Sequence, residues 1–304
     1  MTTPTLSGVL VVDKPAGPTS FDVVARVKRA LRAEKAGHTG TLDPLATGVL
    51  AVCLGDGVKL QQFLADGDKA YEAVVAFGAA TTTQDAEGAV TARGDPCRLD
   101  ASAIQVALGR FLGEIAQVPP MFSAVRVGGR RLHEVARSGE EVERAPRKVL
   151  VHALELLELQ PPEAGLVRAR VAVRCGKGTY VRTLAADLGT QLGVPAHLAR
   201  LRRTVAGPFT IAEAIPLEEA ERLARSDRAA LSARLLPIEE ALRGWPTVRL
   251  ETAQAQDLGH GKTLSLQGAP EGRCGALGPD GRLLAVCEGR DGVLRPVRVL
   301  RATR

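Results

Sequence analysis

GHTGTLDPLATGVL, from Gly37 to Leu50, is the stretch on which the reading of this chain turns. One carboxylate, Asp43, stands between a His-Thr-Gly turn and a proline, with Gly40 and Gly48 on either side and an apolar run from Val49 to Leu54 behind it. Pro44 biases Asp43 away from helical angles, while glycines admit backbone angles closed to other residues. The segment therefore predicts a loop that is stiff at its centre and tightly folded at its edges, holding one acid in a fixed direction. The same residue types also build ordinary surface turns, so local composition alone leaves the role of that acid open.

Working outward, Gly8 to Asp13 (GVLVVD) reads as a buried strand, and KPAGPTS turns the chain into a helix from about Phe21 to Ala33. Val23, Val24, Val27, Ala30 and Leu31 share one face of it, opposite Arg26, Lys28, Arg29 and Arg32, a basic surface suited either to solvent or to phosphates. Beyond the Asp43 loop, Val49 to Leu54 is a strand, Gly57 to Ala65 a short helix carrying Lys59, and Lys69 to Phe77 a strand carrying Tyr71. Asp100 to Leu112 has the spacing of an amphipathic helix. Gln117 to Lys148 differs in kind, being punctuated by Pro119, Pro120, Gly128 and Gly129 and dense in Arg. Val149 to Leu159 and Leu166 to Cys175 then make a hairpin about PPEAG.

CGKGTYVRTLAADLG, from Cys175 to Gly189, is the second informative stretch. Its glycines bracket a turn, and the following helix offers Val181, Leu184, Ala185 and Leu188 to a core, with Tyr180 and Arg182 at its start. An arginine there runs against the helix dipole, so an anion nearby would help to explain it. From about Ala241 to Thr247 the helical pattern breaks at GWP, and the remaining residues form short runs separated by Gly and Pro, the pattern of a small β domain.

Taken together, the loop around Asp43, the strand around Tyr71 with FGAATTTQDAEG after it, and the segment around Arg182 resemble, in order and spacing, the TruB family of tRNA pseudouridine synthases. The GHTG-x-LDP-x-ATG signature is met at every fixed position. The resemblance implies an α+β pseudouridine synthase fold, a central mixed and largely antiparallel sheet flanked by helices, with a small C-terminal β domain like a PUA module. It implies a catalytic domain over 1–243, an RNA-gripping thumb inserted at about 117–148, and an RNA-binding domain over 244–304. It also implies that Asp43 is the nucleophile, that Arg182 pairs with and orients it, and that Tyr71 stacks on the target uracil and is a candidate base for the C5 proton. His38 would stack into the RNA, Leu201 would lie beside the flipped base, and Lys59 and Tyr180 would join them in binding substrate. ARLRRTVAGPF, from Ala199 to Phe209, also matches, placing Arg202 and Arg203 near RNA or the core. Phe122 and His133 stand where the family pattern leads one to expect tyrosines, so two hydroxyls are lost.

The implied reaction is isomerisation of uridine to pseudouridine in the T stem-loop of tRNA, at uridine 55, without a guide RNA, metal or organic cofactor. An arginine beside Asp43 would lower its pKa by about 1 to 3 units and keep it ionised. Two neighbouring readings differ in one property each: a guide-dependent synthase would usually lack the long thumb, and an RNA chaperone would not need an intact Asp43, Tyr71 and Arg182. An aspartyl phosphotransferase would need further carboxylates, and LDPLATG supplies one.

Composition agrees with a polyanion partner without choosing one: Lys plus Arg number 40 against 34 acids, a net charge of +6 over 304 residues. Five cysteines with no C-x-x-C pair, and no apolar run approaching 18 residues, predict a reduced cytoplasmic protein without zinc or membrane span. A monomer is expected.

Overall fold

Along Gly8–Lys14, Val9 and Val11 point to one side and Leu10 and Val12 to the other, and all four are at most 2% exposed. A strand covered on both faces needs a continuous apolar run rather than an alternating one, which is the pattern in GVLVVD. Thr47–Leu54 behaves alike, with Leu50, Val52 and Leu54 in one core cluster and Val49, Ala51 and Cys53 in another. This computed structural model describes residues 6–123, 125–137, 140 and 142–300, apart from the side chains of 126, 131, 133, 134 and 137.

The two strands belong to a ten-stranded mixed sheet. Its main path runs Ile215–Pro216, Gly8–Lys14, Thr47–Leu54, Ala196–Ala206, Lys69–Phe77, Val167–Cys175, Arg147–Leu159, Gly113–Gln117. All neighbours on this path are antiparallel except the first pair and the pairing of Thr47–Leu54 with Ala196–Ala206. That parallel contact joins Arg202 to Thr47 and Arg203 to Gly48, and so lays the strand carrying Leu201 beside the Asp43 loop.

Helices Ser20–Leu31, Ala101–Gly109, Val181–Leu192 and Leu217–Ser226 send Val23, Val27, Ile104, Leu184, Leu188 and Leu217 into the first core cluster. The first helix begins at Ser20, one residue before the sequence suggests, because Thr19 caps it. Its hydroxyl accepts from the Asp22 N–H, and the Asp22 carboxylate accepts from the Thr19 N–H. The segment from Gln117 to Lys148 contains a short hairpin, Arg126–Val127 with Arg130–Arg131, and the helix Leu132–Arg137. The side chain of His133 lies outside the described residues.

A second, five-stranded sheet runs Thr247–Arg249, Gly272–Leu277, Leu283–Arg290, Val293–Val299, Leu264–Ser265, with the helix Thr252–Gly259 beside it. It has its own core around Leu258, Cys274, Cys287 and Leu294. It also closes the other face of the large sheet, since Leu283, Val286 and Leu300 share a cluster with Val9, Val49 and Phe63. Arg273 pins this junction, its guanidinium 5.3 Å from the Phe63 ring centre, 5.9 Å from that of Trp245 and 3.3 Å from Asp66. Among the described residues no helix is long and apolar enough to cross a membrane.

Candidate active site

The Asp43 loop is fixed from below by two buried cations. Lys14, fully buried at the end of the first strand, donates to the carbonyls of Pro15 at 3.0 Å, Pro44 at 3.1 Å and Ala46 at 2.7 Å. Arg203, 1% exposed, donates through Nε to Val49, through Nη1 to Thr41 and through Nη2 to Gly40, at 2.8, 3.2 and 3.0 Å. Five main-chain carbonyls from Gly40 to Val49 are thereby held by side chains from elsewhere in the fold. Ser20 adds a third tie, its hydroxyl donating to the Leu42 carbonyl at 2.9 Å and accepting from the Leu42 N–H at 2.7 Å.

Gly48 is the glycine that the loop requires. Its φ is +102°, and a Cβ there would collide with the Arg203 carbonyl oxygen of the parallel neighbour. Gly40 does not have that role, contrary to the reading of both as conformational necessities. It does not adopt a positive φ, and the atom nearest to a Cβ there would be Arg203 Nη1 at 3.6 Å, an ordinary contact.

Above this floor, Asp43 and Arg182 meet in two contacts, Nε to Oδ2 at 2.9 Å and Nη2 to Oδ1 at 3.3 Å. The Arg182 side chain is 5% exposed and that of Asp43 is 35% exposed, so the carboxylate is held from inside and open on its outer side. The other guanidinium positions are also committed, with Nη1 donating to the Thr83 carbonyl at 3.1 Å and Nη2 to the Phe122 carbonyl at 2.9 Å. Nη1 also lies 3.5 Å from the Asp85 carboxylate. These acids answer the electrostatic difficulty of an arginine at the start of a helix.

Asp85, inside TTTQDAEG, is a participant that sequence reasoning missed. It is 3% exposed, and its carboxylate accepts from the Thr83 hydroxyl and the Glu87 N–H. An Asp two residues before its own backbone partner is a turn signature that could have marked it as inward-facing. Lys14 left a weaker signal, since a lysine ending an apolar strand reads as a solvent marker.

Charge balance at Asp43 differs from expectation. Burial, helped by the negative charge of Asp85, lifts its pKa above the ordinary aspartate value, while Arg182 and Lys14 pull in the opposite direction without overcoming it. The predicted depression is corrected: the loop is desolvated more than the arginine compensates. Burial lowers the Lys14 pKa to about 8, with Asp43 opposing the shift.

Tyr71 and Arg203 are direct cross-strand partners, and Leu201 opposes Ala73 two residues along, so Tyr71, Leu201 and Arg203 share one sheet face. Tyr71 is half-buried, and burial raises its hydroxyl above the ordinary phenol range. Leu201 is 8% exposed. His38 is half-buried with Nδ1 accepting from the Gly40 N–H at 3.3 Å, and burial lowers its pKa, favouring the neutral ring.

One of the expected substrate-binding side chains, that of Lys59, is tied elsewhere. Lys59 donates to the Leu300 carbonyl at 2.6 Å and pairs with Asp56 at 2.8 Å, at the junction with the C-terminal sheet. Tyr180 stands at the N-cap position without a side-chain capping bond, its main-chain N–H donating to Gln117 Oε1 at 2.8 Å and its carbonyl accepting from Gln117 Nε2 at 3.1 Å. Of the pair Arg202 and Arg203, the first binds Asp13 at 2.8 Å and the second is core. Among the described residues no group of three or more His, Cys, Asp or Glu could hold a metal ion.

The family model of the TruB pseudouridylate synthase N-terminal domain matches residues 28–181, and models of two C-terminal segments of the same enzymes match 182–243 and 245–301. A protein from Stutzerimonas stutzeri named tRNA pseudouridine synthase B is 45% identical over 300 residues, covering 98% of this chain and 96% of its own. One of the same name from Cupriavidus metallidurans is 46% identical over 303 residues, covering 97% and 94%. Among solved structures, a chain of a Cbf5-Nop10-Gar1 complex superposes with a TM-score of 0.75 at 27% identity, over 98% of this chain and 86% of that one. A chain of an H/ACA RNP bound to a substrate RNA gives 0.73 at 25% identity, over 99% and 91%.

Proposed function

This chain belongs to the TruB family of pseudouridine synthases, and from that membership we propose that it converts uridine 55 in the T loop of tRNA to pseudouridine, without a guide RNA, using Asp43 as nucleophile. That it is a tRNA pseudouridine synthase follows from relatives so named at 45% identity across 98% of the chain. The observation that carries the residue assignment is the doubly contacted Asp43–Arg182 pair, whose carboxylate keeps an open side while its guanidinium is buried.

The reaction breaks the N1–C1′ bond and makes a C5–C1′ bond; the proton on C5 leaves and N1 regains one, so no electrons or groups are exchanged. A directed carboxylate is sufficient. Asp43 can add to C6, trap the ribose at C1′ or act through a glycal, and each route needs the same ionised, oriented oxygen. Arg182 supplies the orientation, and Lys14 and Arg203 hold the loop that carries the acid.

A uracil inside a loop must leave its stack to reach this carboxylate, at a cost of a few kcal/mol. Tyr71 offers a ring from the sheet face and Leu201 an apolar surface beside it. With its hydroxyl held above the ordinary range, Tyr71 stays protonated near neutral pH and offers its ring rather than a phenolate. His38, neutral and half-buried at the loop entrance, is suited to stacking on the RNA. Residues 117–148 act as the thumb and 244–304 as an RNA-binding module on a monomer that works in the cytoplasm.

Guide independence is favoured by the 45% identity to a tRNA pseudouridine synthase B, against 27% to a chain of the Cbf5-Nop10-Gar1 complex. The test is to incubate the purified chain with an unmodified tRNA transcript and no other RNA or protein, then map pseudouridine by nucleotide. Formation at uridine 55 is the expected result; modification only after a guide RNA is added would refute the guide-free reading.

A further inference from the structure

Phe21 is 76% exposed, the most exposed large apolar side chain among the described residues. It opens the first turn of the helix Ser20–Leu31 and follows Ser20, whose hydroxyl is bonded twice to Leu42, the residue before Asp43. An exposed ring therefore stands next to the tie between this helix and the loop carrying the nucleophile.

Positions 21, 25 and 28 follow one stripe of the helix, at i, i+4 and i+7, and Arg32 is the C-cap just past its last residue, with φ +51°. The stripe reads Phe21, Ala25 and Lys28, Arg32 stands just beyond its end, and both cations are exposed. Neither has a carboxylate within ion-pair distance among the described residues. At about 1.5 Å per residue, Lys28 stands about 10 Å beyond Phe21 along the axis, and Arg32 follows at the helix end. Arg26, on the opposite flank, is 3.8 Å from Glu221.

A ring followed by unpaired cations towards the helix end complements a nucleic-acid strand, which offers a base face and then phosphates. Taking one base out of a stack also leaves its neighbours with an uncovered face that an aromatic side chain can cover. A protein partner would bury Phe21 among apolar neighbours, and the stripe supplies Ala25 alone.

We propose that Phe21, Lys28 and Arg32 form a second RNA subsite, in which Phe21 stacks on a base flanking the flipped uridine and the two cations hold phosphates of the strand leading away from Asp43. The inference rests on the tRNA reading above. It assigns these residues to substrate positioning and leaves the chemistry to Asp43.

The test uses the full chain with Phe21→Ala, Phe21→Trp, the double change Lys28→Ala with Arg32→Ala, and Arg26→Ala as the control on the other flank. Dissociation constants for an unmodified tRNA transcript are measured between 50 and 200 mM salt, alongside kcat at saturating tRNA. Phe21→Ala should weaken binding about 10-fold, with Phe21→Trp restoring it and kcat staying within about twofold of wild type. The double change should reduce the slope of log K against log salt by about 1.4, two phosphates at about 0.7 each, while Arg26→Ala leaves it alone. Wild-type affinity and slope in Phe21→Ala and the double variant would overturn the subsite, even with pseudouridine formed normally. A wild-type chain that forms none would instead sink the functional reading, and the subsite would stand if Phe21→Ala still lost RNA affinity. Loss of affinity for a protein but not for tRNA would overturn the RNA assignment.

Discussion

Arg182 contacts Asp43 through two nitrogens, at 2.9 and 3.3 Å, although 139 residues separate them in the chain. The guanidinium is also bonded to the carbonyls of Thr83 and Phe122 and faces Asp85, so three separate segments, at 43, 83–85 and 122, converge on one side chain. Arg182→Lys cannot reproduce this fork, because an ammonium is a point donor. We expect kcat to fall at least about 100-fold, the scale on which lost orientation acts. Arg182→Ala leaves two acids facing an emptied site and should destabilise the fold by about 3 to 5 kcal/mol. Chemical denaturation and single-turnover rates separate the two effects; an Arg182→Lys enzyme with wild-type kcat would contradict the role assigned to the fork.

Because burial and Asp85 lift the Asp43 pKa, the acid limb of the single-turnover rate should lie above the ordinary aspartate range. Asp85→Asn removes one of the raising charges, so its acid limb should move to lower pH. The stability sign is the reverse of the usual salt-bridge case: a carboxyl with a raised folded pKa stabilises at low pH and loses that contribution as pH rises through the folded value. Asp43→Asn should accordingly melt no lower than wild type at neutral pH. A clear drop in its melting temperature would show that the ion pair outweighs desolvation.

Lys14 gives the complementary alkaline prediction. With its pKa lowered to about 8, its ammonium becomes an amine within the assay range and has two N–H donors for three carbonyls. The wild-type rate should decline above about pH 8 as the loop loosens, whereas Lys14→Met should be slow and insensitive to pH there. The linkage sign is that of a depressed pKa: the stability contribution is present above the unfolded value near 10.5 and lost as pH falls through about 8. A Lys14→Met profile that retains the alkaline decline would assign that limb to another group.

Lys59 provides a negative test. Its ammonium is committed to Asp56 and to the Leu300 carbonyl, so Lys59→Ala should lower stability by at most about 1 kcal/mol and leave KM for tRNA unchanged. A several-fold rise in KM at unaltered stability would return Lys59 to the substrate-binding set.

Much of this architecture is legible in local sequence. The strands Gly8–Lys14 and Thr47–Leu54 announce themselves because burial on both faces demands unbroken apolar runs, and the Asp43 loop because its turn chemistry is local. Arg182 could be marked as anomalous from its helix position, but its partner could not be found without the fold. Lys14 and Arg203 were not legible as supports, since each grips carbonyls, which carry no residue identity, up to 163 residues away. The upward shift at Asp43 depends on how completely the sheet, the loop and Asp85 exclude water, a three-dimensional property that an Asp-Arg pairing inferred from sequence misjudges.

The most direct measurement uses tRNA transcribed with tritium at C5 of uridine, since the isomerisation must release that hydrogen. Wild-type protein should release tritium equivalent to about one uridine per tRNA, whereas Asp43→Asn, binding the same tRNA with nearly unchanged affinity, should release none. Tritium release by Asp43→Asn at the wild-type rate would contradict the assignment of this carboxylate as the reacting group.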